Sequence, residues 1–86
     1  MTEALILINT KVEGVMEDVT MKLGEMGDVL CVAMITGSYD IMAVVSSDDL
    51  DELILEIRKL DGVKDTNTNV VIAEHVSKGI KNRIVQ

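Results

Sequence analysis

The groups best suited to chemistry in this 86-residue chain lie in two short stretches, the glycine turn from Thr36 through Gly37, Ser38 and Tyr39 to Asp40, and the run Thr66 to Asn69. Backbone N–H groups of a glycine turn, or of a helix start, suit a carboxylate. A free carboxylate such as Asp40 suits an ammonium group, and threonine hydroxyls serve either partner. Together these are the parts of a site for a zwitterion. Gly37 adds room, because no Cβ keeps a ligand from the backbone. The same residue types also make an ordinary tight turn and polar strand ends. Residue types alone favour that plainer reading.

Catalytic constellations are missing from the sequence. His75 is the single histidine and Cys31 the single cysteine, too few for the usual zinc ligand sets. Cys31 sits within an apolar run with no cation beside it in sequence to lower its pKa, so a buried structural thiol is expected. Asp48, Asp49, Asp51 and Glu52 precede or begin a helical pattern, where negative charge favours the helix dipole. Asp49 and Glu52 also have capping-box spacing. The methionines at 16, 26, 34 and 42 fit core or interface positions, and Gly14 and Gly24 form no phosphate-loop pattern. No cofactor or metal is expected.

The elements that position these groups follow from periodicity. Residues 4–8 form an apolar, β-branched run closed by Asn9 and Thr10, which predicts a first strand. Val12, Val15, Met16, Val19, Leu23 and Met26 recur at helical spacing, with Gly27 as the stop. Residues 29–35 and 41–45 predict two further strands joined by the turn at 36–40. Leu50, Leu53, Ile54, Ile57 and Leu60 mark one face of a second helix, ended by Asp61 and Gly62. A fourth strand is expected over 66–73, polar in its first half and apolar from Val70 to Ala73. The order β-α-β-β-α-β is the ferredoxin-like plan, a four-stranded antiparallel sheet with two helices on one face. It brings Asn9, Thr10, the 36–40 turn and the start of the fourth strand to one end of the sheet. The chain reads as one domain over 1–86, with a core of 1–74 and a tail of 75–86.

The first three strands do not alternate apolar with polar residues, as a sheet with one wet face should. Two helices cover one face only. An apolar patch on the second face marks an interface, and a two-fold homodimer covers it with no other gene product. Eight basic and fifteen acidic residues give a net charge of −7, a sign that opposes a phosphate backbone and argues against direct nucleic-acid binding. Residues 1–73 carry five basic and fourteen acidic side chains, hence −9, whereas 74–86 carry three and one, hence +2. The N-terminus lacks a signal-peptide pattern and no apolar run is long enough to span a bilayer. A cytoplasmic protein without membrane association is expected.

Two motifs, Gly37-x-Tyr39-Asp40 and Gly62-Val63-x-x-Thr66-x-Thr68, separated by one helix in this element order, resemble the effector domain of the Lrp/AsnC regulators. That domain is named RAM, for regulation of amino-acid metabolism. The resemblance covers essentially the whole chain. It implies a ferredoxin-like fold, sheet-faced dimers, and assembly of dimers into a ring, commonly an octamer. It also implies an amino-acid effector at dimer–dimer contacts, often touched by more than one subunit. Gly37, Ser38, Tyr39 and Asp40 of the turn, with Thr66 and Thr68, carry over as contacts, and Asn69, Val70 and Val71 match positions tied to effector response. Full-length members begin with a helix-turn-helix domain, which these residues lack. The early start of the first strand after Met1 leads us to expect a natural stand-alone member, able to act on transcription by joining a full-length regulator.

Two other classes share this topology. A cofactor-free enzyme of the dimeric α/β-barrel type would place His, Trp, Arg or Tyr in a pocket beneath the sheet, and this chain has no Trp or Phe. An ACT-like allosteric domain pairs its sheets side by side, and the Thr-Gly-x-Tyr-Asp turn speaks for RAM instead.

Overall fold

Alternation decides which side chains enter the core. In the computed structural model, which describes residues 1–75, β1 spans Thr2–Thr10 and buries Ala4, Ile6, Ile8 and Thr10 on one face. After a 3-10 turn at Glu13–Val15, α1 runs over Met16–Gly24. Strands β2 (Val29–Met34) and β3 (Ile41–Ser47) follow, then α2 (Leu50–Lys59) and β4 (Val63–Val70). The strands form one antiparallel sheet in the order β2-β3-β1-β4. This is the ferredoxin-like β-α-β-β-α-β fold expected from the sequence.

Both helices pack on the face that carries Ala4, Ile6 and Ile8 of β1 and Ile41, Ala43 and Val45 of β3. Val19 and Leu23 of α1, Leu53 and Ile57 of α2 and Val63 of β4 complete that core. Each fully buried Ile or Leu is worth about 1.5–3 kcal/mol of transfer free energy. α1 lies over β2 and α2 over β4. The opposite face carries Leu5 and Leu7 of β1, Met42 and Val44 of β3 and Ala33 of β2, all half-buried, together with an exposed Cys31. On β4 that face turns polar, through Asp65, Asn67 and Asn69. The apolar open face therefore extends over three strands and stops at the fourth.

Four local readings of the sequence are corrected. The fourth strand starts and ends three residues earlier than its 66–73 pattern suggested. Ala4 pairs with Val70, and the Val71 N–H donates to the Glu3 carbonyl at 2.9 Å. β1 has almost no backbone left to pair beyond that point, so Ile72 overhangs, 98% exposed. The first helix begins as a 3-10 turn without a side-chain cap and leaves Val12 exposed. Its end is closed by short-range bonds from the Glu25 and Met26 N–H groups to Lys22 and Leu23 carbonyls, and Gly27 plays no left-handed part there. Cys31, expected to be buried, is exposed on an edge strand. The cationic tail beyond His75 lies outside the described residues.

Candidate functional site

β1 and β2 end at the same edge of the sheet where β3 and β4 begin. The β2–β3 connection is closed by a hydrogen bond from the Ile35 N–H to the Asp40 carbonyl, 2.9 Å. The four residues between them form the glycine turn. Gly37 has φ +132°, in the left-handed region that favours glycine, and a Cβ built there would meet no atom within 4 Å. Thr36, Gly37 and Ser38 are exposed, whereas Tyr39 and Asp40 are half-buried. The turn thus presents exposed backbone at its tip and half-buried side chains at its base.

Asp40 is the anchor. Its backbone N–H donates to the Ile8 carbonyl at 3.0 Å. Its Oδ2 accepts from the Thr10 N–H at 2.8 Å and from the Thr10 hydroxyl at 3.1 Å. The backbone pairing of β1 with β3 stops at Ile8 and Ile41. Beyond that point the Asp40 carboxylate satisfies the next β1 donor in place of a strand carbonyl. Beside it, Asn9 donates to Asp65 at 3.1 Å and Lys11 N–H to the Gly62 carbonyl at 2.8 Å. These bonds tie the β4 entrance to the same end.

The structure gathers only part of the sequence-derived site. Gly37, Ser38, Tyr39 and Asp40 share the turn. Thr66 lies at the same end, in register with Ile8 and, through it, Ile41, two strand spacings or about 10 Å from β3. Thr68 and Val70 continue along β4 away from the turn, opposite Ile6 and Ala4. Thr66 and Thr68 point toward the helices and are half-buried, whereas Asn69 points to the open face. There its amide donates to the Asn67 side-chain carbonyl at 2.8 Å. Val70 and Val71 sit beside Glu3 at the far end, exposed. Thr10, placed at this end by the topology but not counted among the ligand contacts, is drawn into the turn. Its position two residues beyond Ile8, in phase with Ala4, Ile6 and Ile8, is the signal that it turns inward toward Asp40.

Two concavities lie at the opposite end of the sheet. One, of about 200 Å³, is lined by Asp28, Ser47 and residues of the α2 start. The other, of about 460 Å³, is lined by Met1 to Glu3, Ser46 and 71–74. Among the described residues no group of three His, Cys, Asp or Glu side chains is placed to hold a metal ion. No helix among them is long and apolar enough to cross a membrane.

The model of the Lrp/AsnC ligand-binding domain matches residues 3–80. The chain belongs to that family. Lrp/AsnC ligand-binding domains are regulatory modules, so ligand binding in a regulatory setting is the general role of this chain. Among solved structures it is similar to the hypothetical protein PHS023 from Pyrococcus horikoshii, at 35% identity over 87% of this chain and 94% of that one, TM-score 0.77. It is also similar to TTHA0845 from Thermus thermophilus, at 27% identity over 90% of this chain and all of that one, TM-score 0.80. At 18% identity and TM-score 0.75, the feast or famine regulatory protein Rv3291c from M. tuberculosis, complexed with L-methionine, shares the fold. This chain covers 54% of Rv3291c, which in turn aligns with 91% of this chain. No curated protein matches the chain.

Proposed function

We propose that this Lrp/AsnC domain senses an α-amino acid or a close relative, and that the effector sits between subunits of a homo-oligomer. The exposed, left-handed Gly37 turn held by Asp40 is the observation that carries this reading. Its open backbone offers donors to a carboxylate, yet a turn on one subunit encloses little of a ligand, and small-molecule sites bury most of theirs. A second subunit supplies the missing wall. The separation of the turn from Thr68, Asn69, Val70 and Val71 fits such a composite site, with the turn of one subunit facing the β4 edge of another. Rv3291c, which shares the fold and was solved as a complex with L-methionine, supports the amino-acid class.

The apolar open face of β1, β2 and β3 supports sheet-faced dimers as the unit of assembly, with an octamer as the expected ring. The domain acts in the cytoplasm, without binding nucleic acid directly, by joining a full-length regulator of the family. The test is a thermal-shift screen of the twenty amino acids with light scattering on the same samples. A ligand that binds only the native state adds about 2.7 kcal/mol at one hundred times its Kd. Val44→Asp, which places an unpaired charge on the open face, is expected to dissociate the assembly. A wild-type monomer at micromolar concentration, or no shift with any amino acid at millimolar concentration, refutes the corresponding half of the proposal.

A further inference from the structure

We propose that Thr10 is a positioning residue of the effector turn, and that it acts through Asp40, whose carboxylate belongs to the turn's own framework and not to the ligand's ammonium group. The inference rests on the effector reading above and adds a residue to it. Four observations converge. One carboxylate oxygen, Asp40 Oδ2, already accepts two hydrogen bonds, from the Thr10 N–H and the Thr10 hydroxyl. The Asp40 backbone is committed on both sides, its N–H to Ile8 and its carbonyl to Ile35. Thr10 itself is only 9% exposed, so its hydroxyl needs an internal partner. Finally, β1 stays paired with β4 through a register shift between Asn9 and Thr10, with Thr10 opposite Val63, while its pairing with β3 ends at Ile8, so Asp40 takes over the Thr10 donor on the β3 side.

The consequence is a two-point clamp. The Thr10 N–H fixes the height of the carboxylate above the end of β1, and the hydroxyl fixes its rotation. With Asp40 held at both backbone and side chain, the Gly37 and Ser38 amides point in one direction before any ligand arrives. Removing the hydroxyl leaves a single bond about which the Asp40 side chain turns, and the tip of the turn follows.

The test uses Thr10→Val, Thr10→Ser and Asp40→Asn in the full chain. Hydrogen exchange is read at the amides of residues 37–39, and affinity is read for the amino acid of the twenty that gives the largest thermal shift. Thr10→Val is expected to speed turn exchange and weaken binding about tenfold, with assembly intact, and Thr10→Ser to restore both. Asp40→Asn keeps an oxygen that accepts both bonds, each weaker for want of the charge, so its affinity should fall by no more than that of Thr10→Val, about tenfold. Wild-type exchange at the turn in Thr10→Val overturns the clamp, as does a Thr10→Ser variant no better than Thr10→Val. Abolished affinity in Asp40→Asn with unchanged exchange overturns the proposal in favour of a direct Asp40–ammonium contact. If no amino acid binds the wild type, the effector reading fails, and exchange alone decides whether Thr10 holds the turn.

Discussion

The two ends of the sheet use the same chemical unit for different purposes. At each end the last core-facing residue of a central strand is a buried hydroxyl, Thr10 on β1 and Ser47 on β3. Each hydroxyl binds a carboxylate from a connection, Asp40 for Thr10 and Asp28 for Ser47. Ser47 uses both of its functions. Its Oγ donates to Asp28 at 2.9 Å and accepts from the Asp49 N–H at 3.1 Å. Asp49 then accepts from the Glu52 N–H and caps α2. Strand, loop and helix start are knotted together. Thr10 supports a turn whose tip is exposed. A hydroxyl with both functions spent inside the fold makes a joint, and one that only donates to a loop carboxylate makes a mount for a loop.

The largest effect expected from breaking this contrast lies at the mounted end, with its two glycines. Gly62 has φ +99°, and a Cβ there would stand 3.0 Å from Val15 and Val19 side chains. Gly62→Ala is therefore expected to cost about 2–4 kcal/mol, from left-handed strain plus overpacking. Gly37→Ala meets open space and keeps only the strain, about 1 kcal/mol. Denaturant melts of both variants check the pair, and equal losses would mean that the α1 contact with Gly62 carries no weight.

Next comes the joint itself. Ser47→Ala leaves the Asp49 N–H without its acceptor and Asp28 without its donor, and is expected to cost about 1–3 kcal/mol. Thr10→Val keeps the Thr10 N–H bond to Asp40, so it should cost less. The same melts decide, and a larger loss in Thr10→Val would reverse the comparison.

A smaller effect is expected one bond further out. Asp49→Ala removes the α2 cap at about 1 kcal/mol. Amide exchange in the first turn of α2 should rise while the 36–40 turn stays as protected as before. If both ends loosen together, they form one cooperative unit and the contrast between joint and mount fails.

The smallest effect concerns Lys22, in the last turn of α1, bonded to Asp18 at 3.0 Å on the surface. The hydrogen bond and the charge of Asp18 raise the lysine above its ordinary 10.5. A raised folded pKa means stability that is full below the unfolded value and is lost as pH climbs through the folded one. Lys22→Met should leave the melting temperature nearly unchanged, because exposed pairs contribute little. Any loss should shrink only at strongly alkaline pH. Melts across pH test this.

Periodicity and composition by themselves determined the element order, the bounds of α2 to within a residue, the Asp49 cap and the two-sided apolar character of β1, β2 and β3. These are local properties, written in spacings of two and of three to four residues along the chain. They also determined which residues could serve a zwitterion. Tertiary structure alone decided which of those residues meet. Register is a relation between strands distant in sequence, and Val70 was placed opposite Ala4 only when the sheet formed. A polar strand such as β4 has a weak apolar pattern, so its own residues did not fix where pairing begins. The Asp40–Thr10 bonds span thirty positions, and no local pattern couples them. Cys31 shows the same limit, since its apolar neighbours suggest burial, while its place on an edge strand and on the face without helices leaves it exposed. Side-chain type sets what a residue can do, and the packing of distant strands sets whom it does it with.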